Sequence, residues 1–205
     1  ISNELSVNWL LWHLLTGLSS KTSSKNKFSR VKKSRVKYFL LTSIILIVGC
    51  AYTPTINNMV APYKSYNESD KSIKIGQISG GEEINPLIGV SKIDATGFYG
   101  ALELSLKMSR IFIYNMKEAD YTLKALIVSQ KQPMMGLNMT SSLTVNYVLF
   151  ETDSRREIWS KSITSNYTAK FGDTLDGGKR IQFANEGVVR ENLGILLESL
   201  SSLGL

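Results

Sequence analysis

Three consecutive runs of alternating apolar and polar residues constrain this chain most. Tyr121–Gln130 places Tyr121, Leu123, Ala125 and Ile127 on one face. Leu143–Glu151 does the same with Leu143, Val145, Tyr147 and Leu149. Glu157–Lys170 repeats it with Trp159, Ile163 and Tyr167. A period of two puts alternate side chains on one side of a pleated strand, and short connections make consecutive strands pair antiparallel. The turn Thr152-Asp153-Ser154-Arg155 separates the second run from the third. A fourth strand, Ser72–Ile78, carries Ile73 and Ile75 inward.

Two helical patterns flank these runs. Asp94 is a fitting N-cap for a helix to about Tyr114, with Ala101, Leu104, Met108, Ile111 and Phe112 as its apolar stripe. Arg180–Leu203 repeats leucines and valine at steps of four and three through Val189, Leu193, Leu196, Leu200 and Leu203. Glu103–Lys107 and Glu186–Arg190 read as exposed i,i+4 pairs. The order β-α-β-β-β-α implies an α+β two-layer sandwich, a four-stranded sheet with two helices on one face.

Charge separates this domain from what precedes it. The chain has 205 residues and a formal net charge of +7. Residues 1–49 hold eight basic residues and one acid, so residues 50–205 are balanced. The positive excess is therefore no argument for nucleic acid, and no nucleic-acid partner is expected. His13 is the one histidine and Cys50 the one cysteine. Histidine-based acid–base, triad and zinc chemistry are absent from residues 50–205. No metal or cofactor is expected.

Within the leader, cationic Arg30–Lys37 precedes the apolar run Tyr38–Val48 and small Gly49. This is the order of a secretory signal, and the run is too short to span a bilayer as a helix. Ile47-Val48-Gly49-Cys50 resembles a bacterial lipobox. The resemblance implies cleavage between Gly49 and Cys50 and a covalent lipid on the Cys50 sulfur, the only non-protein group expected. The competing reading is a buried cysteine ending an uncleaved anchor helix. By the same resemblance, Ala51 rather than Asp after the cysteine implies export to the outer membrane, facing the periplasm. Residues 1–29 read as an over-extended reading frame with initiation nearer Val31 or Val36, or else as a long n-region with an interfacial helix. The expected organisation is leader 1–49, lipidated cysteine and flexible tether 50–71, and one periplasmic domain 72–205. A tether of that length in random coil spans roughly 25 Å and would let the domain stand clear of the lipid.

The element order and the lipobox together resemble small bacterial envelope lipoproteins: the YajG-like group, the lipopolysaccharide-assembly lipoprotein LptE, and auxiliary lipoproteins of ABC transporters. Two motifs resemble an uncharacterised lipoprotein group: Gln132-Pro133-Met134-Met135-Gly136-Leu137, and Ala184-Asn185-Glu186-Gly187-Val188-Val189-Arg190-Glu191-Asn192. The resemblance implies a lipoprotein and a fold, with no activity attached.

The candidate sites follow from residue type. Met134, Met135, Gly136, Leu137 and Met139 offer an adaptable partner surface, or a soft copper(I) site, or methionines plugging a hairpin end. Lys179 and Arg180 at the start of the last helix offer an anion site, or loop-and-cap structure. Asn185, Glu186, Arg190 and Asn192 read as a solvated helix face or a binding face. The expected function is a non-enzymatic, lipid-anchored envelope protein that binds an envelope protein partner. The alternative is a carrier of a small lipid or glycan, and an enzyme would need two converging carboxylates.

Overall fold

The computed structural model describes residues 53–81, 93–133 and 136–205. Gly49, Cys50, Met134 and Met135 lie outside the described residues. In chain order the elements are α1 (Ile56–Met59), β1 (Ser72–Gly80), α2 (Ala95–Ser109), β2 (Ile113–Tyr114), β3 (Tyr121–Lys131), β4 (Met139–Glu151), β5 (Glu157–Ala169), a 3-10 turn (Phe171–Asp173) and α3 (Gly177–Ser201).

The fold is α+β, with a mixed five-stranded sheet in the order β2-β1-β3-β4-β5. The three alternating runs form the antiparallel meander β3-β4-β5, and the registers Leu149↔Trp159 and Val145↔Ile163 keep their apolar sets on one face. Strand β1 adds parallel to β3, with Ile75 opposite Leu123. That face and the helices enclose the core: Ile73, Leu123, Leu143, Val145, Tyr147 and Leu149 meet Phe98, Leu102, Val189, Leu193 and Leu196, all buried.

Three details differ from the sequence expectation. There are five strands among the described residues, not four. Ile113–Tyr114 is too short to show a period, and it pairs parallel to the start of β1 because the chain is turned back by Arg110, a left-handed C-cap at φ 55°. There are three helices among the described residues, not two. Helix α1, Ile-Asn-Asn-Met, has no propensity signal of its own and forms against α2 and α3. Finally, α2 stops at Ser109 and buries Phe98, Ala101, Leu102, Ser105, Leu106 and Ser109. Met108, expected on that stripe, is 48% exposed. Two serines can occupy the core face because each hydroxyl donates to a carbonyl of its own helix, Ser105 Oγ to Ala101 O (2.7 Å) and Ser109 Oγ to Leu106 O (2.9 Å).

The expected flexible tether is likewise corrected over the residues described. Residues 53–71 pack along the helices as a strap. Met59 and Ala61 are buried in the core cluster, and Tyr66 packs against it. Ala61 N–H donates to Ser105 Oγ (3.0 Å). Gly100 of α2 makes room for the strap, since a Cβ there would stand 2.7 Å from Ile56 Cδ1.

Candidate functional site

The polar residues of α3 read from the sequence as a solvated face or a binding face. Three of the four are buried instead: Asn185 (0%), Glu186 (2%) and Asn192 (0%). They divide into two sets that face opposite neighbours.

Asn185 and Asn192 are two helical turns apart and face the sheet. Asn192 Oδ1 accepts from Tyr147 Oη (2.7 Å), and its Nδ2 donates to Ile163 O (3.0 Å) and Ser165 Oγ (3.1 Å). Ser165 Oγ donates to Val188 O (2.9 Å), closing the link between β5 and α3. Asn185 Oδ1 accepts from Ser141 Oγ (2.8 Å) and Gln130 Nε2 (3.4 Å). Burial pushes the Tyr147 hydroxyl well above its ordinary value, so it stays a donor. Between the asparagines, Gly187 lies against Tyr167: a Cβ would be 2.2 Å from the ring. The helix therefore approaches β5 as closely as backbone allows.

Glu186 and Arg190 face the strap. Glu186 Oε1 accepts from Thr55 N–H (2.9 Å), Thr55 Oγ1 (3.2 Å) and Gln182 Nε2 (2.8 Å), and Oε2 accepts from Asn58 Nδ2 (2.9 Å). This buried carboxylate is held by neutral donors rather than by the expected pair with Arg190. Arg190 instead donates from its NH1 to Asn58 O (2.8 Å) and stacks 5.3 Å over the Tyr167 ring. Gln182 also donates to Thr53 O (3.0 Å). Further along, Lys64 pairs with Glu198, which raises the lysine pKa. Ser69 Oγ donates to Leu205 O (2.7 Å). Strap and helix thus run side by side in the same direction.

The other sequence candidates sit at the end of the domain where α3 begins. Gly136 has φ 149°, and Leu137 is 71% exposed. Met139 is turned away from them, buried against Ala169, Ile181, Ala184 and Phe183. Lys179 and Arg180 diverge. Lys179 N–H is capped by Asp176 Oδ1 (3.2 Å), and its ammonium lies 5.7 Å over Phe183. Arg180 is buried, donates to Thr174 O (2.6 Å) and stacks 5.2 Å over Phe171. Of the two readings of this pair, these bonds are those of loop-and-cap structure, with Arg180 engaged by the loop before the helix.

At the opposite end lies an open polar cavity of about 690 Å³, lined by Lys74, Asn115, Lys117, Glu118, Asp120 and Asp153 among others. Asp120 is committed to structure there. Its Oδ2 accepts from Ser72 N–H and Ser72 Oγ (both 2.7 Å), and these bonds hold its pKa below the usual carboxylate range. Among the described residues, no group of histidine, cysteine or acidic side chains is placed to hold a metal ion. Among them, too, no helix is long and apolar enough to cross a membrane.

The polar set on α3 was visible in the sequence, but its burial was not. The signal that could have found it is the motif itself, Ala-Asn-Glu-Gly followed by Arg and Asn, which interrupts an otherwise leucine-rich face at helical spacing.

No protein-family model matches the chain, and no curated protein sequence matches it. Solved structures do. A protein of Xanthomonas campestris assigned to the family model DUF330 superposes with a TM-score of 0.58 at 13% identity, over 75% of this chain and 95% of that one. A hypothetical protein of Chlamydia trachomatis gives 0.48 at 10% identity, over 65% and 99%. A minor lipoprotein of Acinetobacter baumannii gives 0.41 at 12% identity, over 68% and 96%. The Xanthomonas protein shares the fold, and at this identity the likeness extends to the fold alone.

Proposed function

We propose that this chain is a bacterial lipoprotein, acylated at Cys50 and anchored at the outer membrane facing the periplasm, which binds an envelope protein partner and catalyses no reaction. One observation carries the reading: the sole cysteine stands at the end of a cationic segment, an apolar run and a small residue, in the order Ile47-Val48-Gly49-Cys50. Two acyl chains suffice for stable anchoring, at about 0.8 kcal/mol per buried CH2. The non-enzymatic part is supported by the domain's chemistry. The carboxylates of Asp120 and Glu186 are occupied by structural donors.

The carrier reading needs room between sheet and helices. There the large side chains Tyr147, Phe98, Leu102 and Leu193 fill the layer, each fully buried. This favours recognition at the surface. The test is Cys50→Ser with fatty-acid labelling and membrane fractionation in a bacterial host. The substitution is expected to abolish labelling and release the protein from membranes. Unchanged labelling and retention would sink the proposal.

A further inference from the structure

The described part of the strap begins at Thr53, against the first turns of α3. Thr53 is held by Gln182, in the second turn of α3. Three peptide units separate Thr53 from Cys50, a reach of at most about 11 Å. The strap runs in register with α3: Thr53 meets Gln182, Thr55 meets Glu186, Asn58 meets Arg190 and Lys64 meets Glu198. Thr53, the first described residue of the strap, therefore stands at the N-terminal end of α3, within that reach of Cys50 along the chain.

That end carries the two most exposed large apolar side chains among the described residues, Leu175 (80%) and Leu137 (71%), with Phe171 at 44%. They belong to two loops that are tied together. Phe171 N–H donates to Asn138 Oδ1 (3.1 Å), and buried Arg180 holds both the Phe171 ring and the Thr174 carbonyl. The apolar residues are thus presented on a braced platform rather than folded inward. Lys170 and Lys179 are exposed beside them. The neighbouring acids are engaged with backbone, Asp173 Oδ2 accepting from Lys170 N–H (2.7 Å) and Asp176 Oδ1 from Lys179 N–H. Apolar side chains rimmed by lysines are what a phospholipid interface takes.

We propose that this end of the domain, through Leu137, Phe171 and Leu175, inserts into the bilayer surface that holds the Cys50 lipid. The domain then lies on the membrane instead of standing off it, with the β4–β5 turn pointing away. The inference rests on acylation at Cys50.

The test uses the acylated full chain in vesicles of phosphatidylethanolamine and phosphatidylglycerol. Leu175→Cys, Leu137→Cys and Ser154→Cys each supply one free thiol for an environment-sensitive fluorophore. Position 154 lies one strand length from the platform, about 40 Å. Doxyl-labelled lipids are expected to quench the labels at 175 and 137 at least about twofold more than the label at 154, because the first two lie within the 5–10 Å interfacial layer. Mass analysis of the N-terminal peptide and vesicle flotation are read on the same samples. Acylated, floating protein with equal quenching at all three positions overturns the orientation while leaving the anchor standing. Protein that carries no acyl mass and does not float overturns the anchor, and the orientation with it.

Discussion

Helix α3 holds two buried polar sets of different kinds. The sheet-facing set, Asn185 and Asn192, is neutral and bonded to side chains and carbonyls of the core strands. The strap-facing set is charged, and Glu186 is satisfied by donors from residues 55, 58 and 182. The first fixes the rotation and register of the helix on the sheet, since a slip of one residue would orphan several buried groups at once. The second fixes a segment whose apolar contribution to the core is Met59, Ala61 and the partly buried Tyr66. One set therefore fixes the helix on the sheet, and the other fixes the strap on the helix.

The contrast can be broken at three points. Asn192→Ala should have the largest effect, about 3 kcal/mol, by leaving the Tyr147 hydroxyl and the Ile163 carbonyl without partners inside the core. Chemical denaturation measures it. A cycle with Tyr147→Phe should return a coupling of about 1–2 kcal/mol, and additivity would mean that the bond does not organise the core. Glu186→Ala should cost less, about 2 kcal/mol, and should act locally. Hydrogen exchange at Thr55 and Ala61 should accelerate while amides of β4 keep their protection. Equal loss in both places would show that strap and core are a single cooperative unit.

The smallest effect concerns pH. Burial raises the hydroxyl pKa of Tyr147 in the core and of Tyr66 in the strap. Each stabilising contribution is complete below the unfolded value near 10 and is lost as pH rises towards the raised folded value. Thermal melts should be flat to about pH 10 and fall above it. Tyr147→Phe should flatten that alkaline limb more than Tyr66→Phe, since Tyr147 is the more deeply buried.

Most of the sheet could be read from periodicity, because Leu143, Val145, Tyr147 and Leu149 alternate without interruption. The long C-terminal helix was equally plain. What could not be read depends on distant partners. Ile113–Tyr114 becomes a strand only because β1 lies beside it. Ile56–Met59 becomes a helix only because Gly100 and Glu186 make a place for it. Ser105 and Ser109 look like surface positions until their hydroxyls are seen to bond their own helix. At the site, Glu186 and Arg190 have the spacing of a solvent-exposed ion pair, and the spacing alone cannot tell that a segment 131 residues earlier takes the carboxylate instead.

That separation of 131 residues sets an order of events in biosynthesis. The strap leaves the ribosome before almost all of the sheet, but Glu186 and Glu198 emerge close to the end of the chain. At 5–20 residues per second, the strap waits roughly 7–26 s before its partners exist. Throughout that interval Thr55, Asn58 and Lys64 are without the acids that hold them in the finished fold. The strap therefore docks on α3 only after the C-terminal end of the chain has been made.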